Sequence, residues 1–265
     1  MPNTTTNNPG IGVTRLGVGP PLALAHGAGG SVQANFSELI AESSGSRTLI
    51  GVDYPGSGAV PRPATDLTLP ALADQLVAAA ISAGFERFPI VGVSLGSAVA
   101  LTAAARHPDR ITALALTVGF LTADAQLRQF AALYQSLAAS GEDQALARML
   151  LLTCSSPTTL ATLASGGDDD AVAAIVDGSP ADSAAQLGLA CRTDARAAAA
   201  TITVPTAVFV SGQDRVVLPV STRRLAGAIQ EATLIEYPDA GHIFSAAEER
   251  VWAGHVREFL ADHGR

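Results

Sequence analysis

The chain has 265 residues, enough for one sizeable α/β domain or one domain with a modest insertion, and its 48% hydrophobic and 15% charged residues are ordinary for a packed globular protein. It carries 16 basic residues and a formal net charge of −8, and its longest basic run is Arg223–Arg224. Neither a nucleic-acid surface, which needs clustered cations to replace phosphate counterions, nor a polybasic membrane patch is expected from that balance.

The opening MPNTTTNNPG has no basic n-region and no apolar h-region, so it reads as a disordered polar leader, not a secretory signal, and a cytoplasmic protein is expected. Pro21–Ala25 is a short apolar run ending at His26-Gly27 and reads as a buried strand. Residues 31–42 follow as a predicted helix. Arg47–Val52 is a second strand, closed by Asp53 and the turn-rich Tyr-Pro-Gly-Ser-Gly of 54–58. Leu69–Ala83 has helical spacing and stops at Gly84. Phe88–Val93 is a third strand, Leu95–Arg106 a helix and Ile111–Val118 a fourth strand. The most apolar window, Pro89–Ala105, is too short for a bilayer span and contains Gly92, Ser94, Gly96 and Ser97.

From about Leu121 to Ala200 the strand–helix rhythm stops. Ala/Leu-rich segments broken by Ser-Gly, Ser-Pro and Gly-Gly predict a helical insertion, because a structureless loop of that length is implausible. The Asp168–Asp170 run reads as a solvated loop or helix start, with no His or carboxylate cluster beside it to suggest a metal. Cys154 and Cys191 lack metal-type spacing and read as two thiols, with a disulfide between them left open. Val204–Val210 and Ala232–Tyr237 are the fifth and sixth strands. Residues 245–262 form an amphipathic last helix with Val251, Trp252, Val256, Phe259 and Leu260 on or near one face. Strands alternating with helices predict a parallel sheet covered on both faces.

The chemistry centres on Gly92-Val93-Ser94-Leu95-Gly96, which lies between a predicted strand and a predicted helix. That context gives G-x-S-x-G its meaning: a strained strand-to-helix turn lifts the serine hydroxyl above the sheet, and the flanking glycines remove side chains that would clash. A serine hydroxyl needs a base. Of the five histidines, only His26 and His242 follow the carboxyl end of a strand, where open α/β sheets place their sites. His242 comes after an acid candidate, in the order Ser, Asp, His. That acid is Asp214, in Ser211-Gly-Gln-Asp214 after the fifth strand; buried there, it would hold the imidazole tautomer. Asp124 is the runner-up, and Asp239 is close in sequence to His242. For the oxyanion, the backbone N–H groups of Leu95 and of Ala28, in the glycine-rich loop His26-Gly-Ala-Gly-Gly30, are the expected donors. The same loop lacks the Lys-Ser/Thr of a phosphate loop and the register of a dinucleotide fold.

These residues, together with Asp53-Tyr-Pro-Gly-Ser-Gly58, Ala105-Arg-His-Pro-Asp-Arg110 and Gly241-His242, resemble the α/β-hydrolase superfamily from about Leu22 to Leu260. In particular they resemble its small bacterial members with a helical cap, such as esterases, epoxide-hydrolase-like and carbon–carbon-bond hydrolase-like proteins. The resemblance implies a mostly parallel, eight-stranded sheet flanked by helices, with a pair of short strands within residues 10–20 and the cap inserted after strand 6 of that sheet. Residues 1–120 and 201–265 would then be the two parts of the hydrolase core, and 121–200 the cap. Val93 stands where many relatives carry histidine, and Ser97 where a second glycine is frequent. Ser94 argues against epoxide and halide hydrolysis, which in this superfamily use an aspartate nucleophile.

The expected activity is that of an esterase-like serine hydrolase acting on a small to medium hydrophobic carbonyl substrate. No metal or organic cofactor is expected, and the protein would be a monomer or homodimer. Phe120, Leu121, Phe130, Leu133 and Tyr134 should roof the pocket, with Gly29 and Val93 completing the substrate wall. Tyr134 could donate to substrate, although a packed ring with only its hydroxyl needing a partner is the simpler reading. The same constellation also serves lyases, cyclases and perhydrolases, or persists in non-catalytic ligand-binding proteins.

Overall fold

The computed structural model describes residues 12–62, 65–163, 167–178 and 183–263; the polar leader lies outside them. Among these residues seven strands form one sheet: β1 (Gly12–Gly17), β2 (Pro21–Ala25), β3 (Thr48–Asp53), β4 (Phe88–Val93), β5 (Ile111–Thr117), β6 (Thr206–Ser211) and β7 (Thr233–Tyr237). Their order is β1-β3-β2-β4-β5-β6-β7, with β1 antiparallel to β3 and every other pairing parallel. In place of the pair of strands expected within residues 10–20, the described residues hold one, β1. The chain then turns through Gly17 and Gly19, both at positive φ, and passes directly into β2.

The period of two along each strand places alternate side chains in two cores. Ala23 and Ala25, Ile90, Leu114 and Leu116, and Val208 face the side covered by α3 (Leu69–Ser82) and α4 (Leu95–Arg106). Leu22 and Leu24, Val91, Ala113 and Ala115, and Phe209 face the opposite side, which carries α1 (Val32–Asn35), α2 (Ser37–Ser43) and α12 (Ala246–His263). The central strands read as unbroken apolar runs because both of their faces are buried.

The helix expected over 31–42 is broken into α1 and α2 at Phe36. That residue leaves helical geometry (φ −136°, ψ 27°) and buries its ring beside Trp252. Trp252 anchors α12 and donates its indole N–H to the Thr117 hydroxyl at 2.9 Å. Val251 is 54% exposed and lies off the buried stripe of Trp252, Val256 and Leu260.

Between β5 and β6 the described residues form six helices: α5 (Ala125–Ala139), α6 (Asp143–Cys154), α7 (Pro157–Ala161), α8 (Gly167–Gly178), α9 (Ala184–Arg192) and α10 (Arg196–Ala199). The two ends of this segment are tied together by the Thr122–Asp194 bridge and by the Ala195 amide, which donates to the Leu121 carbonyl at 2.8 Å. Asp168–Asp170 occupy the first turn of α8, where negative charge suits the helix dipole, and Asp169 pairs with Arg148. The remaining helix, α11 (Pro219–Gly227), connects β6 and β7. Cys154 and Cys191 are free thiols. No described helix is long and apolar enough to cross a membrane, and no metal-type cluster occurs among the described residues.

Candidate active site

The sheet order reverses between β2 and β4: the chain moves from β2 outward to β3, then returns to lay β4 on the other side of β2. Loops leaving the carboxyl ends of two such strands diverge and open a crevice. The loop from His26 to Gly30 leaves β2 there, and Ser94 leaves β4.

Ser94 adopts φ 53°, ψ −118°, a strained conformation for any residue with a side chain. The turn is possible because strand and helix close on each other through glycines. A Cβ on Gly92 would lie 2.5 Å from the Gly96 carbonyl oxygen, and one on Gly96 would collide with the Ala25 carbonyl oxygen. Ser97, the departure from the family's second glycine, uses its hydroxyl to tie the turn, donating to the Gly92 and Thr117 carbonyls at 3.0 and 3.2 Å.

Asp214 follows β6 and is 3% exposed. Its Oδ1 accepts the amides of Val216 and Val217 at 2.8 and 2.9 Å, and its Oδ2 accepts His242 Nδ1–H at 2.7 Å. The two loops are laced together by backbone bonds from Gly212 to Tyr237 and from Gln213 to Ala240. With Nδ1 donating to the carboxylate, Nε2 is left as the acceptor, the tautomer a general base requires. Ser94 and His242 line the same cavity of about 620 Å³. No hydrogen bond joins the two side chains, and catalytic contacts of this kind commonly tighten only when substrate binds.

The other acid candidates are occupied elsewhere. Asp124 caps α5, accepting the Leu127 amide through Oδ1 and the Ser221 hydroxyl through Oδ2. Asp239 is exposed and meets Gln213. His26 is fully buried and stacked on Tyr54; its Nδ1–H donates to the Gly27 carbonyl and its Nε2 accepts the Tyr54 amide. Burial drives its pKa down to about 4, against the opposing pull of the Gly27 hydrogen bond, so the ring stays neutral and braces the loop. Cys154 also lines the cavity, but burial, aided by the nearby Asp214 charge, pushes its thiol up to about 12 and keeps it protonated.

Of the four amides from Gly27 to Gly30, three are engaged. Gly27 donates to Asn35 Oδ1 at 2.7 Å, Gly29 to Gln186 Oε1 at 2.9 Å and Gly30 to the Gly27 carbonyl at 3.2 Å. The Ala28 amide has no acceptor among the described residues, and neither has that of Leu95, the first in α4. Gly29, Val93, Phe130 and Tyr134 all line the cavity. Phe120 does not: the chain turns at Val118, which sits at φ 44°, and Phe120 packs into the core beneath. Leu121 also lies off the cavity, packed against that core, and Leu133 is 49% exposed on the outer face of α5. The sequence reading missed the walls formed by α6 (Leu150, Leu151, Cys154), by α9 (Leu187, Ala190) and by α8. On α8, Ala171, Ala174, Ile175 and Gly178 repeat at the spacing of one helix face, a signal present in the sequence.

A family model described as the alpha/beta hydrolase fold matches residues 20–247. The chain is 30% identical over 250 residues to a pyrrolizixenacetamide deacetylase from Xenorhabdus hominickii, covering 92% of each chain. It is 33% identical over 261 residues to a pimeloyl-[acyl-carrier protein] methyl ester esterase from Chromobacterium violaceum, covering 94% of this chain and 97% of that one. Among solved structures it is similar to the enol-lactonase from Burkholderia xenovorans, with a TM-score of 0.82 at 22% identity over 98% of this chain and 100% of the other.

Proposed function

The chain belongs to the α/β-hydrolase family of enzymes, and on that premise we propose that it is a serine hydrolase that transfers an acyl group to water through an acyl-enzyme. One observation carries the reading: a serine held in a strained strand-to-helix turn shares a cavity with an imidazole whose other nitrogen is bound at 2.7 Å to a buried carboxylate. Ser94 Oγ attacks the substrate carbonyl carbon while His242 Nε2 takes its proton. Asp214 stabilises the imidazolium, and the free amides of Ala28 and Leu95 receive the oxyanion. The imidazolium then protonates the leaving group as the tetrahedral intermediate collapses, and His242 activates water against the ester on Ser94.

The substrate is a small to medium hydrophobic ester, thioester or amide. The cavity walls support this: beyond the triad they are supplied mostly by Leu, Ala, Val, Ile and aromatic side chains. Residues 121–200 act as the cap that roofs the site, between the core segments 1–120 and 201–265. The two relatives named for removing an acetyl group and a methyl ester are consistent with acyl transfer to water.

The test is active-site labelling with a fluorophosphonate, alongside turnover of p-nitrophenyl esters. Wild type is labelled and active, whereas Ser94→Ala, with an unchanged melting transition, is unlabelled and at least about 10⁴-fold slower. Labelling without ester turnover redirects the reading to a lyase or cyclase using the same nucleophile. Absence of labelling on folded wild type defeats it.

A further inference from the structure

Gln186 lies in the first turn of α9, in an Ala/Leu-rich stretch where a glutamine would ordinarily face water, yet it is completely buried. Its amide spans three chain segments. Oε1 accepts the Gly29 amide at 2.9 Å, while Nε2 donates to the Pro55 carbonyl at 3.0 Å and to the Ser57 hydroxyl at 2.8 Å. Both N–H bonds of the side chain and one lone pair of its oxygen are therefore committed. A primary amide in this setting has one orientation, because a flip would aim N–H at N–H and oxygen at oxygen.

The segments it joins are those that shape the loop after β2. The turn after β3 holds that loop from below: the Tyr54 amide donates to His26, and Asp53 accepts the Val32 amide at 2.7 Å. Gln186 holds it from above, at Gly29, whose φ of +76° fixes the direction of the adjoining peptide. By engaging the Gly29 amide, Gln186 leaves Ala28 as the one N–H between residues 27 and 30 without an acceptor among the described residues.

We propose that Gln186 is a positioning residue for the oxyanion site: it pins Gly29 to the turn at Pro55–Ser57 and so holds the Ala28 N–H in place while charge develops on the substrate oxygen. The inference rests on the serine-hydrolase reading. It makes α9 of the insertion part of the catalytic apparatus, acting through the loop without touching substrate. An oxyanion donor contributes more to the transition state than to the bound substrate, so its displacement lowers kcat and leaves KM nearly unchanged.

The experiment compares wild type, Gln186→Met, which keeps the length and loses all three bonds, and Ser57→Ala, which removes one anchor and keeps the Pro55 one. Steady-state kinetics on p-nitrophenyl butyrate, the rate of fluorophosphonate labelling and the melting temperature are read together. Complete loss of an oxyanion donor costs about 10²–10³-fold in kcat, so a displaced one is expected to cost Gln186→Met about 10–100-fold, with KM within about threefold and slower labelling. Ser57→Ala should lose about threefold in kcat. Folded Gln186→Met with kcat within twofold of wild type, or with its loss confined to KM, overturns the proposal. Should Gln186→Met not fold, an unaltered kcat in Ser57→Ala overturns it instead. Wild type that neither labels nor turns over any ester sinks the serine-hydrolase reading itself; an active wild type indifferent to Gln186 sinks only the clamp.

Discussion

Replacing Asp214 by Asn isolates the tautomer of His242 from the packing around it. The carboxylate receives two backbone amides on Oδ1 and the imidazole on Oδ2. An asparagine that turns its oxygen to the two amides keeps both bonds and presents its NH₂ to His242 Nδ1. The opposite orientation sets NH₂ against two N–H donors and is strongly disfavoured. Nδ1 must then accept, the ring proton moves to Nε2, and the Ser94 hydroxyl meets a donor where it needs a base. In the Ser-His-Asp template this inversion costs about 10⁴ in kcat, equivalent to about 5.5 kcal/mol of barrier. Stability should scarcely change, because the buried amides of Val216 and Val217 stay paired. Asp214→Ala, by contrast, orphans both at about 1–3 kcal/mol each and should lower Tm by several degrees. The assay is p-nitrophenyl ester turnover on the two variants, with thermal melts alongside. Asp214→Asn retaining kcat within about tenfold of wild type would refute the assignment of Asp214 as the orienting acid.

Three other outcomes follow from the same geometry. His26 titrates at about 4 when folded against 6.5 as a free side chain, so between those values the unfolded chain binds more protons. Stability is complete above about pH 6.5 and falls on acidification, by about 2 kcal/mol at pH 5; urea denaturation should show the slope in wild type and its loss in His26→Asn, and equal slopes would remove His26 as the source. No arginine lines the cavity among the described residues, so an anionic acyl group would be buried there without a guanidinium partner. A p-nitrophenyl ester of monomethyl glutarate should exceed the free-acid form by at least about 100-fold in kcat/KM, and comparable values would mean that a cation reaches the site. Gly96→Ala drives a methyl group into the Ala25 carbonyl and should destabilise the fold by more than about 3 kcal/mol in chemical denaturation; a neutral effect would show that the elbow relaxes.

The parts legible in the sequence are those where one residue type is chemically forced. The central strands show as apolar runs because both faces are buried, and the Gly-x-Ser-x-Gly segment shows because only glycine fits where β4 and α4 nearly touch. Ser94, Asp214 and His242 each follow the carboxyl end of a strand, so topology alone brings their loops to one edge of the sheet. The insertion was legible as helix and little more. Its helices bury alanine and leucine on more than one side, against the core, the cavity and each other, so no single apolar stripe tells which face meets substrate. Phe120 was misplaced because a β-branched residue, Val118, takes up positive φ at the end of β5, which propensity does not anticipate. Gln186 and Asn35 escaped notice because their roles are set by acceptors and donors far away in the chain.

The insertion grips the site from two directions, and this bears on how the insertion can move. On one side, the Cys154 carbonyl accepts the Ile243 amide at 2.9 Å, and Gly241 packs so closely on Cys154–Ser156 that a side chain there would overlap backbone. Arg215 donates to the Leu152 carbonyl, and Gln126 to the Arg215 carbonyl. The loops that carry His242 and Asp214 are thus fastened to α5 and α6. On the other side, Gln186 of α9 holds the loop after β2. Leu127, Phe130 and Leu187 of the insertion also belong to the same hydrophobic cluster as α3 and α4. A rigid swing of the whole insertion away from the sheet would break these bonds and expose that cluster, displacing the loops of Asp214 and His242 and the loop after β2 together. α8, which lines the cavity with Ala171, Ala174, Ile175 and Gly178, contributes none of these bonds; a shift confined to it would part the exposed Arg148–Asp169 pair and leave both grips intact.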